Sequence, residues 1–257
     1  MEIKYEKLTL TLNKGGTYTV TSCEKDAVNV VVPAEVDGIA ITEIGDSAFK
    51  NCENLISITF NDDFDLFLEG KTISEIGADA FSGCTSLLKI EIPRAVCVIS
   101  SGTFNNCLSL TEVEYNTDNG IYGNALGYIG LCAFNNCKSL VKAPSANVIG
   151  ESAFSDCVSL VVPPIGEYTG EIGESAFAGC VSLTEIKMPS RLSLIESLAF
   201  RGCRNLKRVE FENTEDWYIN YDYGFDSEKI DVSNPEDNAV SLSCVDYDDG
   251  VISWSSY

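Results

Sequence analysis

The sequence contains no histidine. That absence removes the Ser-His-Asp triad, the Cys-His dyad and every histidine-ligated zinc site, and most hydrolase readings go with them. Basic residues are scarce too: 17 Lys and Arg stand against 39 Asp and Glu, a formal net charge of −22. Nucleic acid and anionic membrane surfaces both require a basic patch, so neither is an expected partner. No apolar run reaches the roughly 18 residues that would make a membrane span, so no membrane insertion is expected. The opening Met1-Glu-Ile-Lys-Tyr-Glu-Lys7 lacks the apolar stretch of a secretion signal. On this reading either the protein stays inside the cell or a leader has been trimmed. Glycine patterns of the Walker or Rossmann kind are missing. Two bare Ser-x-x-Lys matches, Ser47/Lys50 and Ser86/Lys89, have no companion Ser-Asp-Asn or Lys-Thr-Gly and carry no catalytic meaning.

What the chain has instead is repetition. Seven times it writes Ile-Gly-x-x-Ala-Phe-x-x-Cys-x-Ser/Asn-Leu, with variations, at Phe49/Cys52, Phe81/Cys84, Phe104/Cys107, Phe134/Cys137, Phe154/Cys157, Phe177/Cys180 and Phe200/Cys203. A Leu stands three residues after each Cys, from Leu55 to Leu206. Successive Cys are separated by 32, 23, 30, 20, 23 and 23 residues, a basic unit of 23 with two insertions. That period is a leucine-rich-repeat period. After each Leu, apolar residues alternate with polar ones, as in Ile58 and Phe60 around Thr59, which predicts a half-buried strand. Strands returning in the same sense once per unit should pair in parallel.

The Ala-Phe-x-x-Cys half reads as a short helical turn with Ala, Phe and Cys inward. The residue just before Cys is Asn51, Gly83, Asn106, Asn136, Asp156, Gly179 or Gly202, all types that enter the left-handed region at low cost. The Ser or Asn before each Leu suits a tight corner and, stacked, a polar ladder.

The pattern resembles the BspA-like bacterial leucine-rich repeats over residues 44 to 211, and the stretch from Gly16 through Ile44-Gly45 resembles that family's entry into the first repeat. The resemblance implies a right-handed leucine-rich-repeat solenoid of the α/β kind, with one parallel β-strand per coil, short helical turns opposite and a cap at each end. It also implies a surface or secreted protein, adhesin-like in some members, and supplies no catalytic motif.

Three segments follow. Residues 1–43 are expected to be an amino-terminal cap, with a hairpin around Asn13-Lys-Gly-Gly16 and an entry strand; 44–211 are the seven repeats; 212–257 form an acidic, aromatic carboxy-terminal cap. A second hairpin is expected there, Val240 to Val245 with Gly250 to Trp254. A separate binding appendage is the alternative for this segment. The insertions at 61–70 and 116–123 read as surface elaborations.

Of the 11 cysteines, seven hold the inward repeat position, where parallel Cβ vectors forbid a disulfide and the thiol packs as a small apolar group. Any disulfide should be sought among Cys23, Cys97, Cys132 and Cys244. No cofactor is expected; a weak calcium site at Asp62/Asp63/Asp65 or within 246–250 is the one metal chemistry the acids suggest.

Function is expected on the polar face of the strands. The candidates are Lys89, Glu91, Glu112, Glu114, Lys142, Val162, Glu185, Lys187, Arg208 and Glu210, with the partner docking near Lys142 and Val162, where Leu140-Val-Lys-Ala-Pro144 and Leu160-Val-Val-Pro-Pro164 interrupt the charge. The expected activity is non-catalytic binding of a protein or peptide by a monomer. An intracellular scaffold is the alternative, and a carboxylate-dependent enzyme is the reading from another class.

Overall fold

The computed structural model describes residues 1–61, 69–115, 125–214, 217–221, 227–243 and 251–256. β1 (Glu2–Tyr5), β2 (Leu8–Leu12) and β3 (Tyr18–Cys23) form an antiparallel meander. β4 (Asn29–Val32), β5 (Glu35–Val36) and β6 (Ile39–Ile44) follow. From there the chain alternates between two lines of strands: β7 (Ser57–Phe60), β8 (Glu75–Ile76), β9 (Lys89–Ile92), β10 (Val98–Ile99), β11 (Glu112–Tyr115), β12 (Leu126–Ile129), β13 (Ala146–Ile149), β14 (Glu171–Ile172), β15 (Glu185–Met188), β16 (Leu194–Glu196) and β17 (Arg208–Phe211). β18 (Trp217–Tyr221), β19 (Ser227–Ile230), a helix α1 (Pro235–Ser243) and β20 (Val251–Ser256) complete it.

Five of the seven repeats therefore contribute two strands, not one, and the fourth and fifth contribute a back strand and a single front bridge, at Lys142 and Val162. A front line carries the strand after Leu: β4, β7, β9 and β11 pair side by side in parallel, and β15 pairs with β17. A back line carries the Ile-Gly of the motif: β10, β12, β13, β14 and β16 are parallel neighbours, and β6 pairs with both β3 and β8. The expected single strand came from reading the alternation after Leu; the back strands are often two residues long and show no period to read.

The expected short helical turn is also corrected. Between the two lines run consecutive turns closed by i to i+3 bonds, Cys52 N–H to the Phe49 carbonyl (2.9 Å) and Leu55 N–H to Cys52 (3.1 Å). The residue before Cys has positive φ in all seven repeats, as expected. A second left-handed position two residues before each Phe breaks any helix: Ser47, Asp79, Gly102, Cys132, Ser152, Ser175 and Leu198, with φ from 52° to 64°. These turns are bound to each other instead, each Phe N–H donating to the carbonyl of the residue before the next Phe, as from Phe154 to Ala176 (2.7 Å).

The core is a set of columns. Seven Phe rings, wholly buried, stack from Phe49 to Phe200 with centroids 4.9 to 5.4 Å apart. Thr103, in place of Ala, is buried with its hydroxyl donating to the Ser100 carbonyl at 2.8 Å. Of the Ser and Asn before Leu, Asn54, Ser182 and Asn205 bond backward to backbone, to the carbonyls of Lys25 (3.1 Å), Val158 (2.6 Å) and Val181 (2.8 Å), rather than to their own counterparts.

The glycine after the back-line Ile marks where repeats approach most closely. A Cβ on Gly150 would stand 2.8 Å from the Ile129 carbonyl oxygen. We expect Gly150→Ala to cost about 1 to 3 kcal/mol in a denaturant titration, because backbone, not a flexible side chain, must move.

The carboxy-terminal segment corrects the expected hairpin. Residues 240–243 belong to α1, whose start is set by Asn234: its side-chain oxygen accepts from the N–H of Glu236 (3.1 Å), Pro235 opens the helix and acids fill its first turn. The strand at Val251–Ser256 instead pairs antiparallel with β16 and β18. Cys244, both suggested calcium sites and most of the two insertions lie outside the described residues.

Candidate binding face

The front line presents its alternate residues outward. In one row across the strands, Asn29 pairs with Ser57, Ser57 with Lys89, and Lys89 with Glu112; bridges then continue from Glu112 to Lys142 and on to Val162. Glu185 and Arg208 form the corresponding pair between β15 and β17. The next outward row contains Glu91 opposite Glu114 and Lys187 opposite Glu210. Val162 is thus beside Lys142, which separates it from Glu112.

The charges along this face are unevenly neutralised. Lys89 Nζ meets Glu112 Oε2 at 2.8 Å, and this contact holds the Glu112 carboxyl below its usual range and lifts Lys89 above its own. Toward the carboxy terminus Lys187 pairs with Glu212 (2.8 Å), while Arg208 bridges Glu210 and Glu236 of α1, each at 3.3 Å. Glu91 and Glu114 are different. They face each other directly across the β9–β11 pair, a like-charge juxtaposition that costs stability, and neither joins an ion pair among the described residues.

Two recesses meet at these carboxylates. One, about 490 Å³, is lined by Thr59, Phe60, Lys89 and Pro93; the other, about 530 Å³, by Tyr115, Lys142, Pro144, Val162 and Pro164. Glu91 and Glu114 line both. The second recess has a sequence cause. Repeats four and five end their front segments in Pro144 and in Pro163-Pro164, which lack the N–H a strand needs, so the front line narrows to single bridges between β11 and β15.

An apolar column beside this face was not anticipated. The residue directly after the repeat Leu is exposed and apolar in most repeats: Ile56, Leu88, Val141 and Val161, with Val28 ahead of them. Backbone bonds link neighbours along it, from Ile56 N–H to Val28 and from Leu88 to Ile56. Val161 and Val162 are 49% and 51% exposed, and Val141 42%, which makes the middle of the face its most apolar part. The signal was present as an apolar residue in a recurrent position that the strand period assigns to neither face.

The cysteines are not merely small apolar residues. Six core thiols each donate to the carbonyl of the Phe one repeat back, from Cys84 to Phe49 (3.1 Å) through Cys203 to Phe177 (3.1 Å). All ten described cysteines are free, including Cys23, Cys97 and Cys132. Among the described residues no three His, Cys, Asp or Glu side chains gather as metal ligands.

A family model described as the BspA type leucine rich repeat region matches in six copies, over residues 22–116, 42–142 and 116–230. The chain belongs to this family. BspA-type repeats generally mediate protein interaction and are generally non-catalytic binding modules, which agrees with an open face and columns filled by Phe and Cys. No curated protein matches the chain. Among solved structures it is similar to a leucine-rich repeat protein of T. pallidum, with 24% identity, TM-score 0.56, and 82% of this chain aligned with 84% of that one. A leucine-rich repeat protein from Bacteroides ovatus ATCC 8483 gives 24% identity and TM-score 0.63, with 81% of this chain covering 53% of that protein. One from Eubacterium ventriosum ATCC 27560 gives 23% identity and TM-score 0.59, with 78% of this chain covering 49% of that protein. The chain thus spans about half the length of the latter two. At these identities the likeness shows the fold. No helix among the described residues is long and apolar enough to cross a membrane.

Proposed function

We propose that the front face is a protein-binding surface for an extended segment laid across the strands, carrying a cationic side chain beside apolar ones. The observation that carries this reading is the pair Glu91 and Glu114, unneutralised and opposed where two recesses meet. An arginine or lysine placed between them relieves their repulsion and forms charge-assisted hydrogen bonds to both. Strands about 4.8 Å apart put Val162 about 10 Å from Glu112, and Glu114 is two residues further along its strand, so Val162 and Glu114 are roughly 12 Å apart, three to four residues of extended peptide. An apolar residue three or four positions from the cation therefore meets Val161, Val162 and Pro164. Lys89 and Glu112, adjacent to this point, set the register by charge; Lys142 rejects a second cation. Glu185, Lys187, Arg208 and Glu210 extend the face, and their mutual ion pairing makes them secondary contacts.

In this reading the chain is a monomeric, right-handed solenoid of seven repeats over 44–211, closed by 1–43 at one end and by 212–257 at the other. It serves as an adhesin-like protein at the cell surface or in secreted form, by resemblance to its family. The free thiols favour a second reading, an intracellular scaffold using the same face.

The test is a pull-down with basic host and matrix proteins, comparing wild type, Val162→Asp and a Glu112→Lys/Glu114→Lys double variant. Retention should fall about tenfold or more in both variants. Equal retention by all three removes this face.

A further inference from the structure

We propose that the outer edge of β4 is a docking site for an extended segment of a partner protein, which adds to the front line as one more strand. The segment it fits alternates apolar residues and carries a basic one beside Pro33. The edge is open because the two lines end unequally. β6 and β7 belong to the first repeat, and β3 and β4 precede them on the back and front lines. Beyond β3 the back line continues through β2 and β1, whereas beyond β4 the front line stops.

The ladder between β4 and β7 identifies the groups left over. In a parallel pair, alternate residues turn both N–H and C=O toward the same neighbour. The Val28 carbonyl accepts from Ile56 N–H at 2.7 Å and the Val32 carbonyl from Asn61 N–H at 3.2 Å, so Val28, Val30 and Val32 turn toward β7. Asn29 and Val31 turn theirs away. Both residues are exposed, and no hydrogen bond among the described residues uses the backbone N–H or carbonyl of either. Two donors and two acceptors thus stand where a further strand would pair.

Proteins usually protect such an edge with charge, proline or a covering element. β1, the edge of the back line at this end, carries Glu2 and Lys4. At the other end of the front line, Asn238 of α1 bonds the Val209 carbonyl of β17 at 3.0 Å. β4 has neither device. Ala27 to Ala34 are eight residues without a charge in a chain that is 22% charged, and Val28 and Val31 are 42% and 61% exposed. Pro33 ends the strand but leaves Asn29 and Val31 accessible.

The surroundings specify the occupant. A strand added beside β4 takes the front position opposite β2. Ile3 and Tyr5 of β1, half-buried against the core, overhang that position, so every second side chain of the added strand should be apolar. Ahead of β4, Lys7 already bridges Glu24 (2.8 Å) and Asp26 (3.0 Å). Past its end, Glu35 and Asp37 are exposed, and neither joins an ion pair among the described residues. A Lys or Arg at that end of the partner strand complements them. This proposal is independent of what Glu91 and Glu114 bind.

The probe is a capped synthetic peptide, Lys-Thr-Val-Thr-Val-Thr-Lys, titrated into the full chain while amide hydrogen exchange is followed by NMR. The Asn29 and Val31 amides should exchange about tenfold more slowly at saturation. Val31→Pro removes one donor that the fold does not use, so it should leave the melting midpoint unchanged and weaken the peptide about tenfold. The same peptide N-methylated at its Thr and Val residues should not bind, and one with Glu in place of Lys should bind about tenfold more weakly. Unchanged exchange at Asn29 and Val31 would overturn the proposal, as would equal binding by Val31→Pro, by the N-methylated peptide or by the Glu peptide. Slow exchange at both amides before any peptide is added, with a dimer in sedimentation, would assign the edge to a second copy and overturn it too.

Discussion

Replacing Phe154 with Ala should cost about 3 to 5 kcal/mol of folding stability, seen as a lower denaturation midpoint at an unchanged slope. Phe154 lies between Phe134 and Phe177, with ring centroids 5.0 and 5.4 Å away and planes within 9° and 5° of parallel. Neither neighbour can move into the void, because each turn is fixed by its own backbone bonds, Phe134 to Ala153 and Phe177 to Ala199, both 2.7 Å. The Phe154 carbonyl also accepts from Cys157 N–H and from the Cys180 thiol, each at 3.1 Å, so any shift of the backbone breaks bonds within and between repeats. Lys187→Ala is the comparison. Its ion pair with Glu212 is exposed, and its loss should leave the denaturation midpoint nearly unchanged. If Phe154→Ala also leaves it nearly unchanged, the inter-turn backbone bonds hold the repeats and the ring column does not.

The parts of this fold that were legible in the sequence are those that recur with side-chain chemistry attached. Phe49 through Phe200 and their Cys partners announce buried columns because a ring and a thiol at fixed spacing have no other common use. The Asn, Asp or Gly before each Cys announces a left-handed residue because few types tolerate one, and all seven have positive φ. The second left-handed position went unread because Ser47, Cys132 and Leu198 share no such preference; backbone bonds between repeats impose that conformation on whatever residue is there. For the same reason the back strands were invisible: Glu75–Ile76 and Val98–Ile99 are strands by virtue of their neighbours alone. At the face, alternation puts Lys89, Glu91, Glu112 and Glu114 on outward positions, and the prolines mark an apolar stretch near Val162; the recess beside it was not legible. Which carboxylates lack a partner depends on register, and Glu91 facing Glu114 rather than Lys89 or Lys142 is a cross-strand fact that no single repeat contains.

Removing 212–257 should cause aggregation and lower the melting midpoint, because this segment takes over each line of contacts along which the repeats bind one another. On the back line, β20 pairs antiparallel with β16 and covers an edge that otherwise presents unpaired backbone groups. Between the lines, Gly202 N–H, at the position where earlier repeats donate to the next turn, donates to the Ser243 carbonyl of α1 at 3.2 Å. On the front line, Asn238 Nδ2 of α1 bonds the Val209 carbonyl of β17 at 3.0 Å. Apolar closure goes with the polar one: Trp217 stands edge-on to Phe211 at 4.8 Å and Trp254 stacks on it at 6.4 Å, both Trp buried. Deletion uncovers Val209 and Phe211 together with two strand edges, a combination that recruits a second chain. Light scattering and a thermal melt of the truncated protein test this. Should it stay monomeric with an unchanged midpoint, the segment is an appendage, and its aromatic residues replace the front face as the place to look for a partner.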